Sequence, residues 1–210
     1  MQNIEPGTLG DSSALSDKST LGDRSPLSDR PTLGERSALG DKSTLGDRST
    51  LGEKSALGEK SALNGPVTLE QANWRDLNAI RQIEKACFPK DAWPLWDIIG
   101  VLTFPNIVRL KAVIDGLVAG FIAGDPRPAE RLAWIATVGV LPEFRNQGIG
   151  TTLLKATEAK LSVPRVRLCV RISNEPAIRL YNHLDYRRID IWKRYYGDGE
   201  DGLVMEKLLG

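Results

Sequence analysis

"EFRNQGIGTTLL" occupies residues 143–154 and follows directly on "ATVGVLP" at 136–142. The apolar, β-rich run ends at Pro142, and an amphipathic pattern carrying Leu153, Leu154, Ala159 and Leu161 begins at Gly148. The spacing therefore predicts a strand, a turn and a helix over 148–161. Between strand and helix sits "RNQGIG" at 145–150. Glycine lets a backbone approach a ligand with no Cβ in the way, and a helix start offers unpaired N–H groups at the positive end of its dipole. Such a turn suits phosphate oxygens. A dinucleotide fingerprint would need G-x-G-x-x-G and an acid about twenty residues on, and a P-loop would need G-K-[ST]; neither is present.

The residues around this stretch read as one globular domain behind a biased leader. Up to about Gly65, leucine recurs at 9, 15, 21, 27, 33, 39, 45, 51, 57 and 63 in units such as "LGDRST" and "LGEKSA". A period of six matches neither a helix nor a heptad. It does resemble the hexapeptide pattern of a parallel β-helix, yet one Leu per unit offers little apolar surface against the ordering entropy. The preferred reading of 1–65 is a disordered, solvated tether or interaction arm, with a β-helix as the alternative. The remaining 66–210 is a common size for one domain. From Gly65 onward there are 20 Lys+Arg against 17 Asp+Glu, an excess of 3 that gives no case for nucleic acid or a membrane surface as partner. Two cysteines, Cys87 and Cys169, indicate no disulfide framework and a cytoplasmic setting. No signal peptide or membrane span is read.

Along the domain, "PVTLEQA" (66–72) alternates as a short strand. "NWRDLNAIRQIEKACF" (73–88) then places Trp74, Leu77, Ile80, Ile83 and Cys87 on one helical face, with Asn73 as N-cap and Pro89 as stop. "PLWDIIGVLTF" from Pro94 reads as a second helix ending before Pro105. "IVRLKAVI" and "LVAGFIAG" form a hairpin across Asp115-Gly116, and "LAWIATVGVL" (132–141) is a strand covered on both faces. "RVRLCVRI" (165–172) is a further strand; Pro176 opens a short helix with Ile178, Leu180, Tyr181 and Leu184.

Residues 145–150 are similar to the [RQ]-x-x-G-x-[GA] signature of the GNAT N-acetyltransferase superfamily, and "SNEPAIRLYNHLDY" (173–186) resembles the S-N-x-x-A run of the same superfamily. "IEKACFPKDAWP" (83–94) and "RRIDIWKRYYGDGEDGLVMEK" (187–207) are closest to its RimI-type branch of protein N-terminal acetyltransferases. The resemblance covers about 66–207. It implies an α/β fold: a mixed, mostly antiparallel twisted sheet of six or seven strands flanked by four helices.

The resemblance also implies chemistry, an acetyl transfer from acetyl-coenzyme A to a primary amine by direct attack in a ternary complex. The pyrophosphate would lie on Arg145, Asn146, Gln147, Gly148, Ile149, Gly150 and Thr151. The pantetheine arm would run along Val138, Gly139 and Val140, with the Val140 N–H on the thioester carbonyl. Asn174 would contact the cofactor near the thioester; read bare, it is a helix cap. Tyr181 would give its proton to the leaving thiolate, a step that a phenol of pKa ~10 suits; read bare, it packs its helix. Where the branch carries a glutamate base this chain has Cys169, which leaves the base unassigned and Cys169 as an acyl carrier or, more simply, an inert thiol. Tyr195 and Tyr196 would be exposed lid residues on the acceptor backbone, and Glu200 and Asp201 could attract its amine; read bare, they are routine hairpin aromatics and a solvated charged loop. His183 reads as solvated, and a lone histidine gives no metal site. The acceptor implied is a protein N-terminus; a small amine is the alternative, and a non-catalytic acyl-coenzyme A sensor a third reading.

Overall fold

The computed structural model describes residues 36–38 and 65–210. Apart from the three residues of one short strand, the readings made for the leader lie outside them.

The elements follow the sequence pattern closely. Strand β1 (Arg36–Ala38) is followed by β2 (Thr68–Gln71), then by helices α1 (Leu77–Cys87) and α2 (Leu95–Thr103). Next come the hairpin β3 (Val108–Ile114) and β4 (Leu117–Arg127), strand β5 (Leu132–Val140) and helix α3 (Ile149–Glu158). Strand β6 (Arg165–Arg171), helix α4 (Glu175–His183) and strands β7 (Arg187–Trp192) and β8 (Gly202–Leu208) complete the chain. Asp115 and Gly116 make the β3–β4 turn with φ of 47° and 79°, the positive pair that a type I′ hairpin demands. The sheet order is β2-β3-β4-β5-β6-β8-β7. Along this order the pairs are antiparallel except β5 with β6, and β1 joins β5 in parallel, so the mixed, mostly antiparallel sheet with four helices is as expected.

Two differences from the sequence reading have local causes. Trp74 is not on the buried face: a 3-10 turn over Trp74–Asp76 precedes α1 and leaves the ring 68% exposed. Asn73 does cap, with its side chain accepting from the Arg75 N–H while Asp76 accepts from the Asn73 N–H, both at 2.9 Å. Helix α3 stops at Glu158, and Leu161 falls in a closing turn, its N–H 3.1 Å from the Glu158 carbonyl.

Helices α1 and α2 cover one face of the sheet against Phe121, Ala123 and Ala136. Helices α3 and α4 cover the other, against Ile122, Ile135, Val138 and Val140. Leu132, Trp134, Cys169, Trp192 and Val204 form a separate cluster. Among the described residues no helix is long and apolar enough to cross a membrane.

What positions the site is the middle of the sheet. Ala123 lies opposite Thr137 but Gly124 opposite Ile135, so Ala136 is an extra residue and β5 is bulged and bent there. Strands β5 and β6 pair only at Ala133 with Val166 and Trp134 with Arg167. Beyond those two rungs the sheet opens into a cleft.

Candidate active site

The cleft side of β5 follows from ladder parity. The Leu141 N–H donates to the Ala119 carbonyl at 2.9 Å. Residues 137, 139 and 141 therefore direct their backbone groups at β4, and by alternation Val138 and Val140 direct theirs at the side facing β6. The Val140 carbonyl is already occupied by the Cys87 thiol at 3.3 Å and Arg145 Nε at 3.1 Å. Gly139 fits because a Cβ there would stand 2.9 Å from Ile83 and 3.3 Å from Cys87 Sγ. Strand β1 pairs in parallel along this edge, Ser37 opposite Val138, and lies against both β5 and β6. The cleft thus accepts an extended backbone.

At the end of β5 a 3-10 turn, Pro142–Phe144, leads to Asn146 and Gly148, both left-handed at φ 63° and 78°. Among the described residues a Cβ on Gly148 would meet nothing within 4 Å, so they leave the space above this turn open. The helical ladder of α3 begins with the Thr152 N–H donating to the Gly148 carbonyl at 3.0 Å. The amides of Ile149, Gly150 and Thr151 precede that first bond, and no acid occupies the first turn. The positive end of the dipole and donors without a helical partner coincide there. The Arg145 side chain turns inward, onto Val140 and Cys87 at 3.1 and 3.9 Å, and away from the turn that the sequence assigns it to. Burial pushes the Cys87 thiol up despite the Arg145 charge, which keeps it a small protonated donor.

The other side of the cleft brings together residues that the sequence keeps apart. Tyr181 is fully buried on α4, meeting Tyr186 edge-on with ring centres 5.8 Å apart. Asn174 caps α4, accepting from the Ala177 N–H at 3.2 Å. His183 is exposed at the end of that helix, as expected. Cys169 is fully buried in the Trp134–Trp192 cluster, and a Cβ at Gly202 would stand 2.6 Å from its sulfur. A thiol so enclosed has no room for an acyl group. Trp134, Trp192, Tyr195 and Tyr196 form a continuous aromatic row with successive ring centres 5.6, 5.2 and 5.1 Å apart.

The two hairpin tyrosines are not exposed as the sequence reading had them. Tyr195 is half-buried and Tyr196 is 5% exposed, because the 193–201 loop folds back over the sheet. Burial, with Cys169, Tyr195 and Tyr181 nearby, pushes the Tyr196 phenol above its ordinary range. Its hydroxyl has no hydrogen-bond partner among the described residues. Glu200 and Asp201 are committed locally: Glu200 to Arg171 and Ser173, each at 2.6 Å, and Asp201 to Lys193 at 2.8 Å.

Two acting groups escaped the sequence reading. Glu84 is 1% exposed beneath β5, where it accepts from the Thr137 hydroxyl at 2.9 Å and the Trp93 N–H at 3.4 Å. Its signal was available, an acid at the i+4 place of the stripe of Ile80, Ile83 and Cys87. Arg171 joins Asp91, Asp198 and Glu200 and lies 4.0 Å over the Tyr196 ring. Its hydrogen bonds hold the Asp198 carboxyl down to about 2. Burial alone would raise Glu200, yet bonds from Ser173 and Arg171 carry it below the usual range. No local pattern announces Arg171, since its partners come from two distant loops. Among the described residues no three metal-ligating side chains converge.

Comparison with known proteins agrees with this architecture. The family model described as Acetyltransferase (GNAT) family matches residues 77–186. An N-alpha-acetyltransferase of Saccharolobus solfataricus is 30% identical over 158 residues, covering 68% of this chain and 93% of that protein. The L-amino acid N-acetyltransferase AaaT of Escherichia coli is 29% identical, covering 61% of this chain and 88% of that one. The crystal structure of the ribosomal-protein-S18-alanine N-acetyltransferase from Escherichia coli superposes with a TM-score of 0.62 at 25% identity, covering 69% and 95% of the two chains.

Proposed function

We propose, starting from the fact that this chain belongs to the GNAT acetyltransferase family, that it acetylates the α-amine of a protein or peptide N-terminus. The chain is an acetyl-coenzyme A-dependent N-acetyltransferase; the acceptor and the residue roles below are our reading. The observation that carries it is one continuous feature, the cleft-facing edge of β5 at Val138 and Val140 running into the open N-terminus of α3. An extended, anionic ligand fits it.

The diphosphate would be held by the amides of Gly148, Ile149, Gly150 and Thr151, with Asn146 and Gln147 flanking. The pantetheine amides would pair with Val138 as an added strand, taking the position that β1 holds. When bound, the group supplies an acetyl thioester. The Val140 N–H, which ladder parity turns to the side facing β6, would donate to its carbonyl. Tyr181, buried on α4, would supply the proton from Oη to the departing sulfur. Asn174 fixes the start of the helix that carries Tyr181. The α-amine, with pKa ~8, is about a tenth neutral at pH 7 and attacks without a dedicated strong base. The aromatic row and Tyr196 line the acceptor side. We assign this work to residues 66–210. Neither Cys87 nor Cys169 is in a disulfide, which suits the cytoplasm as compartment.

A small-amine acceptor is the second reading, favoured by the likeness to an L-amino acid N-acetyltransferase. Mass spectrometry of a peptide library with free N-termini, run beside a panel of free amino acids with acetyl-coenzyme A, separates the two. Peptides gaining one acetyl group at the α-nitrogen are expected. Acetylation confined to free amino acids would replace the protein acceptor with a small one.

A further inference from the structure

Arg171 ends β6 opposite Gly202, the first residue of β8, at the open mouth of the cleft. Its guanidinium donates in three directions. Nε reaches Asp91 at 3.0 Å in the α1–α2 loop, 80 residues away in sequence. On the β7–β8 loop, one terminal nitrogen reaches Asp198 at 3.0 Å and Glu200 at 2.6 Å. Arg171 is only 17% exposed, with Asp91 at 10% and Glu200 at 23%, so these pairs are shielded better than ordinary surface pairs, whose worth is small. By contrast, Lys90 with Asp198 spans the same two loops at 3.2 Å but is 74% exposed on the lysine side. Only the arginine has the planar fork to serve two loops at once.

The same guanidinium lies flat enough over Tyr196 to stand 4.0 Å from its ring centre, within cation–π range. That ring carries a buried hydroxyl with no hydrogen-bond partner among the described residues, near Tyr181 and Cys169. A buried hydroxyl left unpaired is destabilising, and an incoming polar acceptor group would relieve it. The surroundings must then hold the ring still against that cost. Arg171 does so from above, while Tyr195 meets the ring edge-on at 5.1 Å.

We infer that Arg171 is a positioning residue of the acceptor site: it latches the α1–α2 loop to the β7–β8 loop and fixes Tyr196, so that the loops flanking the acceptor and the hydroxyl that meets it are set before binding. Preorganisation of this kind is read in the acceptor's apparent affinity and not in the cofactor's. The inference rests on the acetyltransferase reading above and adds a residue to its acceptor side.

The test uses the full chain and the peptide that the library selects. Arg171→Gln should raise the peptide KM by about 10- to 100-fold, with coenzyme A affinity by titration unchanged within about twofold and one site still bound. Arg171→Lys, which keeps the charge but loses the fork, should recover part of that loss. Asp91→Asn should raise KM in the wild-type background and add little once Arg171 is Gln, the mark of one shared interaction. A purely structural role would lower the fraction of active protein and the coenzyme A stoichiometry together and leave the peptide KM alone; that result overturns the latch. Additive effects of Asp91→Asn and Arg171→Gln would overturn it too. Wild-type protein that binds coenzyme A but acetylates no peptide would sink the peptide-acceptor reading, and the latch with it, whereas turnover with unchanged KM in Arg171→Gln sinks the latch alone.

Discussion

Tyr181→Phe lowers kcat by about 10²- to 10⁴-fold, the range that one general acid contributes, and leaves coenzyme A affinity nearly unchanged. The substitution removes one oxygen and keeps the ring, which is fully buried and edge-on to Tyr186 at 5.8 Å. Packing of α4 on the sheet therefore survives. The loss falls on the leaving step, where the thiolate must find its proton elsewhere, from water that reaches the closed cleft poorly. Steady-state kinetics with the selected peptide, paired with a coenzyme A titration, separates this from a packing role. An unchanged kcat would mean that Tyr181 only anchors its helix. A loss of cofactor binding in parallel with kcat would mean that the ring's position had moved.

Glu84→Ala destabilises the domain by about 2–4 kcal/mol. The carboxylate is 1% exposed and satisfies two groups that no solvent reaches, the Thr137 hydroxyl at 2.9 Å and the Trp93 N–H at 3.4 Å. Truncation removes both of these bonds and leaves a void against the bulged segment of β5. For a domain of this size the shift in Tm is about 2–4 °C per kcal/mol, which thermal unfolding resolves easily. Glu84→Gln keeps the volume and one acceptor, and the Thr137 hydroxyl can turn to accept from the new amide. It should lose less than half as much. Equal losses for both variants would show that charge, and not hydrogen bonding, is what this position needs.

Local pattern carried the fold a long way, for physical reasons visible in single elements. Asp115-Gly116 could be read because a type I′ hairpin needs positive φ at both turn residues, which Asp-Gly tolerates. The wholly apolar run of β5 could be read because both its faces are covered. Gly148 stood out because its conformation, at φ 78°, is one that side chains resist. The bulge at Ala136 had no such signature. It arises from how β4 and β5 register against each other, so no local pattern shows the cleft, and only the family resemblance pointed to Val138–Val140. The same holds for the acceptor side. Arg171 looks like an alternating strand residue until Asp91 and Glu200 arrive from elsewhere in the chain. Tyr196 looks like a solvated hairpin aromatic until the loop folds over the sheet. Arg145 was assigned to the phosphate turn by its place in a motif, while its side chain in fact ties Val140 to Cys87.

The account depends on an anionic, extended cofactor lying along β5 with its diphosphate over the first turn of α3. Isothermal titration of the full chain with coenzyme A tests this directly. One site per chain with Kd of about 1–100 μM, in keeping with common enzyme substrates, is the predicted result, together with loss of that heat in Gly148→Val, where a branched side chain fills the open turn. No heat with the unaltered protein, or equal affinity after Gly148→Val, would contradict it.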